Sequence, residues 1–224
     1  KNYKSAYKMI ITDGVFSMDG DIAPLDKLYE LGKEYNALLM VDDAHSTGVL
    51  GNGRGTAHHF GLTDVDVQLG TLSKALGSVG GYVAGRKELI EYLVNYSRSF
   101  IFSTALSPAD IGAALEALTI VKNEPLVVEQ LNENTAYMAN KLQSMGIECD
   151  DETPIFPIIV GDNERALSLA YELELRGIII TAIRPPTVPV GESRLRMTVT
   201  AAHSQEQLDY VANTLRDLLV DMNI

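Results

Sequence analysis

Two groups of reactive side chains lie just beyond two apolar runs in the first half of the sequence. The first group follows residues 37–41 and comprises an acidic pair and a histidine: Asp42, Asp43 and His45. The second follows residues 65–69 and comprises two hydroxyls and a lysine: Thr71, Ser73 and Lys74. Because ligands of open α/β sheets bind beyond the carboxyl ends of the strands, we expect both groups to face one crevice.

A lysine, a carboxylate, an imidazole and small hydroxyls together suit pyridoxal phosphate (PLP). The Lys74 amine can hold the cofactor as a Schiff base, Asp42 can keep the pyridine nitrogen protonated, and hydroxyls can bind the phosphate. Lys74 must lose its proton to react, which burial and nearby cationic groups promote. Each residue taken singly also has a structural interpretation. Lys74 can be a solvated surface lysine, Asp43 can cap a turn or helix, and His45 can be hydrogen-bonded within a turn.

The elements that position these groups alternate between strands and helices. Strands are predicted at residues 8–12, 37–41, 65–69 and 80–84, and the first of them ends at a turn formed by Asp13 and Gly14. Pro24 opens a helix between the first two strands. Ser107 and Pro108 predict the N-cap and first turn of a helix that runs to about Lys122. This alternation predicts an α/β fold with a mainly parallel sheet flanked by helices.

The pattern changes near Pro125. A helix is predicted from Pro125 to about Gly146, strands at residues 155–160, 178–183 and 195–200, and a helix at 164–176. A last helix begins at Ser204, with Gln207 completing a capping box. The chain therefore divides into predicted domains 1–124 and 125–224, the second a smaller α+β domain.

Composition argues against several classes of partner. The chain has 30 acidic residues against 18 Lys and Arg, and its formal charge of −12 repels nucleic acid and anionic membrane surfaces. A single cysteine, Cys149, excludes an internal disulfide, and the histidines lack ligand-like spacing, so no metal is expected. No secretory signal and no apolar run of about 18 residues is present, which predicts a cytoplasmic protein.

Four ordered motifs resemble the α-oxoamine synthases, which are PLP enzymes of the aspartate-aminotransferase fold type (fold type I). They are DGVFSMDGDIAPL at 13–25, LLMVDDAHSTGVLGNGRG at 38–55, GTLSKALGSVGGY at 70–82 and SRLRMTVTAAH at 193–203. The resemblance covers essentially the whole chain. It implies that residues 1–124 are the C-terminal part of a PLP-binding large domain, that 125–224 form the small domain, and that the protein is a homodimer.

The resemblance also implies roles for individual residues. Lys74 forms the internal aldimine, Asp42 pairs with the pyridine nitrogen, and His45 hydrogen-bonds the phenolic oxygen of the cofactor. Arg196 binds the amino-acid carboxylate, a task that suits its bidentate fork. Further cofactor contacts are implied for Ser17 and Thr71. Ser103 and Thr104 are implied to reach the phosphate bound by a neighbouring subunit.

Residues 182–203 most resemble the branch of the family that condenses L-alanine with pimeloyl-CoA, or its carrier-protein thioester, in biotin biosynthesis. Thr187 then falls on a substrate-contacting position. Read without the resemblance, residues 185–189 are equally typical of a rigid proline linker. The alternative branch uses glycine and acetyl-CoA, as in glycine C-acetyltransferase.

The sequence departs from the family in length. It begins without methionine and enters a strand almost directly, so we expect an N-terminal half upstream. In the family that half carries an aromatic residue, commonly histidine, that stacks on the PLP ring. A further alternative is therefore that the chain by itself is an inactive fragment of such an enzyme.

Overall fold

The computed structural model describes residues 7–223, and their contacts divide the chain into two compact units. The first unit runs to Phe16 and resumes over Ile22–Val128, while the second takes Ser17–Asp21 and continues from Glu129. The domain ranges 1–124 and 125–224 stay a prediction. Nothing in the sequence pattern indicates that Ser17–Asp21 belongs to the second unit.

A four-stranded sheet forms the frame of the first unit. Its strands are β1 (Met9–Asp13), β2 (Leu38–Asp42), β3 (Val67–Thr71) and β4 (Gly81–Gly85), in the order β1-β2-β3-β4. The first three are parallel, as predicted, whereas β4 runs antiparallel to β3. β4 follows β3 after a short connection, too short for the crossover that a parallel pair requires.

In the described part of the chain, five helices accompany this sheet: α1 (Leu25–Tyr35), α2 (Thr56–His59), α3 (Lys87–Tyr96), α4 (Arg98–Ile101) and α5 (Pro108–Asn123). Leu25 of α1 packs with Leu39 and Val41 of β2 in a buried cluster. The predicted N-cap of α5 is confirmed, because the Ser107 hydroxyl accepts a hydrogen bond from the Asp110 amide. The sequence pattern does not indicate α2 and α4, since a single turn is too short to show a helical period.

The second unit contains most of α6 (Pro125–Ser144), followed by β5 (Ile155–Gly161), α7 (Asn163–Glu174), β6 (Thr181–Ile183), β7 (Ser193–Thr198) and α8 (Gln205–Asp221). The strands form an antiparallel sheet in the order β5-β7-β6. Its core includes Phe156, Leu195 and Leu215, all buried. The predicted capping box at Ser204 and Gln207 is present.

The strand predicted at residues 178–183 is longer than the observed one, β6. Only Thr181–Ile183 pair with β7, while Ile178 and Ile180 are buried in the core outside the ladder. Apolar side chains can be buried without strand pairing, so an apolar run alone does not fix the limits of a strand. Among the described residues, no helix combines the length and apolar character that a membrane crossing requires.

Candidate active site

Lys74 and His45 lie against each other in the first unit. Lys74 follows the end of β3, in a turn closed by a hydrogen bond from the Gly77 amide to the Lys74 carbonyl. Its Nζ is 2.7 Å from Nε2 of His45, which follows β2. The two parallel strands therefore bring the two sequence-predicted groups together, as the rule for open α/β sheets predicts.

Asp42 is the last residue of β2 and remains partly exposed at the same edge of the sheet. One of its carboxylate oxygens, Oδ1, accepts a hydrogen bond of 2.9 Å from the Ala44 amide. This bond fixes the side chain at the start of the turn that carries His45. Within residues 7–223, the hydrogen bond to Asp42 uses Oδ1, so the second carboxylate oxygen can accept a hydrogen bond from a ligand or water.

A second acid, Asp13, belongs to this edge, although the sequence pattern predicts only a turn at this residue. It is the last residue of β1 and pairs in register with Asp42. Burial raises the pKa of the Asp13 carboxyl, the charge of Asp42 raises it further, and Lys74 opposes both. The rule that selects Asp42, a polar residue at the carboxyl end of a parallel strand, also selects Asp13.

Asp43 has a structural role. Its side chain is buried, and its Oδ1 accepts hydrogen bonds from the Ser46 hydroxyl at 2.5 Å and from the Thr56 amide at 3.2 Å. Its own amide donates to the Leu69 carbonyl of β3 at 2.8 Å. Asp43 thus anchors both ends of the loop that begins with His45, which supports the alternative that it serves a turn.

Two hydroxyls lie beside the lysine turn. The Thr71 hydroxyl donates to the Gly80 carbonyl at 3.0 Å and lies 2.7 Å from the Ser73 hydroxyl. Thr71 is thus positioned at the carboxyl end of β3. Ser103 and Thr104 are exposed between α4 and α5, and their contact with a neighbouring subunit stays a prediction.

The remaining predicted residues belong to the second unit. Arg196 lies on β7, and its Nε donates a hydrogen bond to the Ser17 backbone carbonyl. Burial lowers the pKa of Arg196. Ser17 therefore contacts the arginine through its backbone, while its predicted cofactor contact stays a prediction.

Thr187 lies on an exposed turn between β6 and β7, where its amide donates to the Arg184 carbonyl at 3.0 Å. The preceding Pro185–Pro186 peptide bond is cis. The segment connects β6 to β7, and the contact of Thr187 with a substrate stays a prediction.

Sequence comparison identifies the family. Residues 1–215 match the model of aminotransferase class I and II, so the chain belongs to this family. It is 51% identical to 8-amino-7-oxononanoate synthase of Lysinibacillus sphaericus, over 100% of this chain and 58% of that protein. The enzyme of that name from Petrotoga mobilis is also 51% identical, over 91% of this chain and 52% of the relative. The chain thus spans a little over half the length of these relatives.

Solved structures agree with this assignment. Serine palmitoyltransferase from S. paucimobilis, with a bound PLP–myriocin aldimine, superposes with a TM-score of 0.94 at 29% identity, over 99% of this chain and 57% of that one. 8-Amino-7-oxononanoate synthase from Francisella tularensis gives a TM-score of 0.84 at 29% identity, over 99% of this chain and 65% of that one. The resemblance to the α-oxoamine synthases is therefore confirmed, with this chain matching a portion of such enzymes.

Proposed function

We propose that the protein containing this chain is a PLP-dependent acyltransferase that condenses L-alanine with a pimeloyl thioester to give 8-amino-7-oxononanoate, a step of biotin biosynthesis. The contact of 2.7 Å between Lys74 Nζ and His45 Nε2, beside Asp42, carries the proposal. The identity of 51% to relatives that bear this enzyme's name supports the choice of substrates.

The first unit presents a donor set that fits PLP. It offers an amine for the aldehyde carbon, an imidazole for the phenolic oxygen and a carboxylate for the pyridine nitrogen, from Lys74, His45 and Asp42 respectively. The His45 loop also approaches the lysine turn closely: a Cβ on Gly48, whose φ is +78°, would lie 2.6 Å from Cβ of Ala75. Glycine at this position allows His45 and Lys74 to meet.

Bound PLP supplies an electron sink that stabilises negative charge on the amino-acid Cα. Asp42 supports this chemistry by keeping a proton on the pyridine nitrogen. The Lys74 amine would hold the cofactor covalently and, when it is free, would accept the Cα proton of the amino acid. His45 orients the Lys74 amine and can exchange a proton with it at Nε2.

Substrate binding is assigned to the second unit. The Arg196 guanidinium binds the amino-acid carboxylate through its Nη atoms, since Nε is occupied by the Ser17 carbonyl. Thr187 contacts the substrate, and Ser17 adds a cofactor contact. A carbon–carbon bond would then form between the alanine Cα and the thioester carbonyl carbon, and the thiol would leave. The alanine carboxylate would be released as carbon dioxide, and Cα would take up a proton in its place to give the aminoketone.

Two further properties complete the proposal. The protein works in the cytoplasm as a homodimer, in which Ser103 and Thr104 reach the phosphate bound by the other subunit, while Thr71 contacts the phosphate in its own. Sedimentation equilibrium of the full-length protein tests the dimer. A Ser103→Ala/Thr104→Ala variant that binds PLP as tightly as the unchanged protein would contradict the phosphate contact.

An assay of thiol release separates this function from its alternatives. PLP-loaded full-length protein is given L-alanine with pimeloyl-CoA, glycine with acetyl-CoA, or L-serine with palmitoyl-CoA. We expect the first pair to give the highest kcat/KM and the Lys74→Ala variant to give background release. Preference for glycine and acetyl-CoA would assign glycine C-acetyltransferase instead, and no release with any pair would overturn the proposal.

A further inference from the structure

We infer that Asp19 and Arg194 form a positioning pair for the substrate carboxylate: they hold the segment Ser17–Asp21 in place so that its Ser17 carbonyl orients the guanidinium of Arg196. The inference rests on the proposed function, because it assumes that Arg196 binds the amino-acid carboxylate. Every residue involved lies in the second unit.

Arg194 is a buried cation with two acidic partners. Its side chain is 2% exposed, and its guanidinium pairs with Asp19 through Nη1 and with Glu192 at 2.9 Å through Nη2. Its Nε donates to the Glu192 carbonyl at 3.0 Å. A buried charge is retained only when it is paired and hydrogen-bonded, so both carboxylates contribute to holding this arginine.

Asp19 differs from Glu192 in what it connects to Arg194. Glu192 lies only two residues before Arg194 in sequence, just ahead of β7. Asp19 belongs to the segment Ser17–Asp21 and is 175 residues away in sequence. The pair with Asp19 therefore ties a distant segment to the central strand of the sheet, while the pair with Glu192 only closes a local turn.

The same segment has a second attachment, to Thr153 and to Ile155 at the start of β5. The buried Thr153 hydroxyl donates to the Gly20 carbonyl at 2.7 Å. A Cβ on Gly20, whose φ is +82°, would lie 2.6 Å from the Ile155 carbonyl oxygen, so the backbone approaches the strand as closely as glycine permits. Ser17–Asp21 is thus fixed at Gly20 by Thr153 and the start of β5, and at Asp19 by Arg194.

Arg194 and Arg196 point to the same side of β7, because alternate residues of a strand share a face. Leu195 between them is buried in the core on the opposite face. Arg196 donates from Nε to the Ser17 carbonyl, two residues before the Asp19 that Arg194 holds. One guanidinium therefore anchors the segment, and the segment in turn fixes the direction in which the other guanidinium presents its Nη atoms.

The test compares two substitutions that each remove one carboxylate from Arg194. In PLP-loaded full-length protein, Asp19→Asn releases the segment, whereas the matched control Glu192→Gln leaves it attached. The dissociation constant for L-alanine is measured from the change in the cofactor absorption spectrum without thioester. We expect Asp19→Asn to raise the dissociation constant for L-alanine about tenfold, which is in the range found for coupling through a network of bonded residues. Glu192→Gln is expected to change this constant less than about twofold.

Two further readouts separate positioning from general damage. Hydrogen exchange of the amides at 17–21 is expected to accelerate in Asp19→Asn and to stay slow in Glu192→Gln. The KM for pimeloyl-CoA is expected to stay within about twofold in both variants, since the pair acts on the amino-acid carboxylate. Asp19→Glu, which keeps the charge, is expected to recover most of the alanine affinity.

The outcomes also distinguish the inference from the proposed function. If Arg196→Lys weakens alanine binding while Asp19→Asn leaves it unchanged, the positioning role is wrong and the proposed function stands. If Asp19→Asn and Glu192→Gln weaken binding equally, the role is also wrong, because the segment is then irrelevant. If Arg196→Lys itself leaves alanine binding unchanged, the carboxylate role of Arg196 fails, and the inference fails with it.

Discussion

The end of β2 and the middle of β7 are built alike, yet they are stabilised differently. Each has a buried charged residue next to a more accessible one of the same sign: Asp43 beside Asp42, and Arg194 near Arg196. Asp43 is held by uncharged donors at most 13 residues away in sequence, whereas Arg194 is held by carboxylates, one of them 175 residues away.

This difference shows that the chain positions His45 and Arg196 by different means. Near Lys74 a local loop places His45, so the buried carboxylate needs only hydroxyl and amide donors. At Arg196 a distant segment must be brought to the strand, and a buried ion pair connects the two. In both places we expect the accessible residue to contact ligand and the buried one to hold backbone.

Asp42→Asn separates the two roles at the end of β2 most strongly. The amide side chain keeps an oxygen that can accept the Ala44 hydrogen bond, but it loses the charge that we propose keeps the pyridine nitrogen protonated. We expect kcat to fall on the order of 100-fold or more, as when one electrostatic group of an active site is removed. Urea unfolding is expected to show unchanged stability, and a large loss of stability would contradict this division of roles.

Asp43→Ala reverses that pattern. It leaves the Ser46 hydroxyl and the Thr56 amide without their buried acceptor, so the free energy of unfolding is expected to fall by about 1–3 kcal/mol. Asp43→Asn keeps an acceptor oxygen at this position and serves as the control, with a smaller loss. If both variants unfold like the unchanged protein, Asp43 does not anchor the loop.

Arg196→Lys tests the accessible arginine of β7. Lysine keeps the charge but lacks the planar fork, and it cannot reproduce the Nε contact with Ser17. The loss of a hydrogen bond to a charged group corresponds to about tenfold or more weaker alanine binding. Titration of the cofactor spectrum with L-alanine measures this, with D-alanine as the stereochemical control.

Asp13→Asn is expected to have the smallest effect, a change in the free energy of unfolding that depends on pH. Burial and Asp42 raise the pKa of Asp13 above 3.8, so its ionised form disfavours the folded state above that raised pKa. Removing the charge is expected to stabilise the protein slightly at pH 7, because solvent screens this exposed group, and the gain shrinks as the pH falls through the raised pKa toward 3.8. An equal gain at pH 7 and pH 4 in urea unfolding would show that charge is not its cause.

Local patterns in the sequence predict much of this arrangement. The strands before Asp42 and Lys74, the N-cap at Ser107 and the capping box at Ser204 all depend on neighbouring residues, and the structure contains each of them. The strand limits differ slightly, and Asp42 ends β2 instead of following it. Burial and hydrogen bonding at strand ends decide such limits, and periodicity does not resolve them.

The sequence pattern does not predict contacts between residues that are far apart in the chain. No spacing indicates that Asp19 pairs with Arg194 or that Ser17 bonds Arg196, because these contacts depend on how the sheet folds back onto the segment. Asp13 is a different case. Its position at the end of a parallel strand is visible in the sequence, and the adjacent glycine made a turn the simpler interpretation.

Chemical trapping tests the central assignment most directly. PLP-loaded full-length protein is reduced with sodium borohydride, digested and analysed by mass spectrometry, with Lys74→Ala treated in parallel. We expect a phosphopyridoxyl group on the amine of Lys74 and no labelled peptide from the variant. Label on another lysine, with Lys74 unmodified, would contradict the assignment of Lys74 as the residue that binds the cofactor.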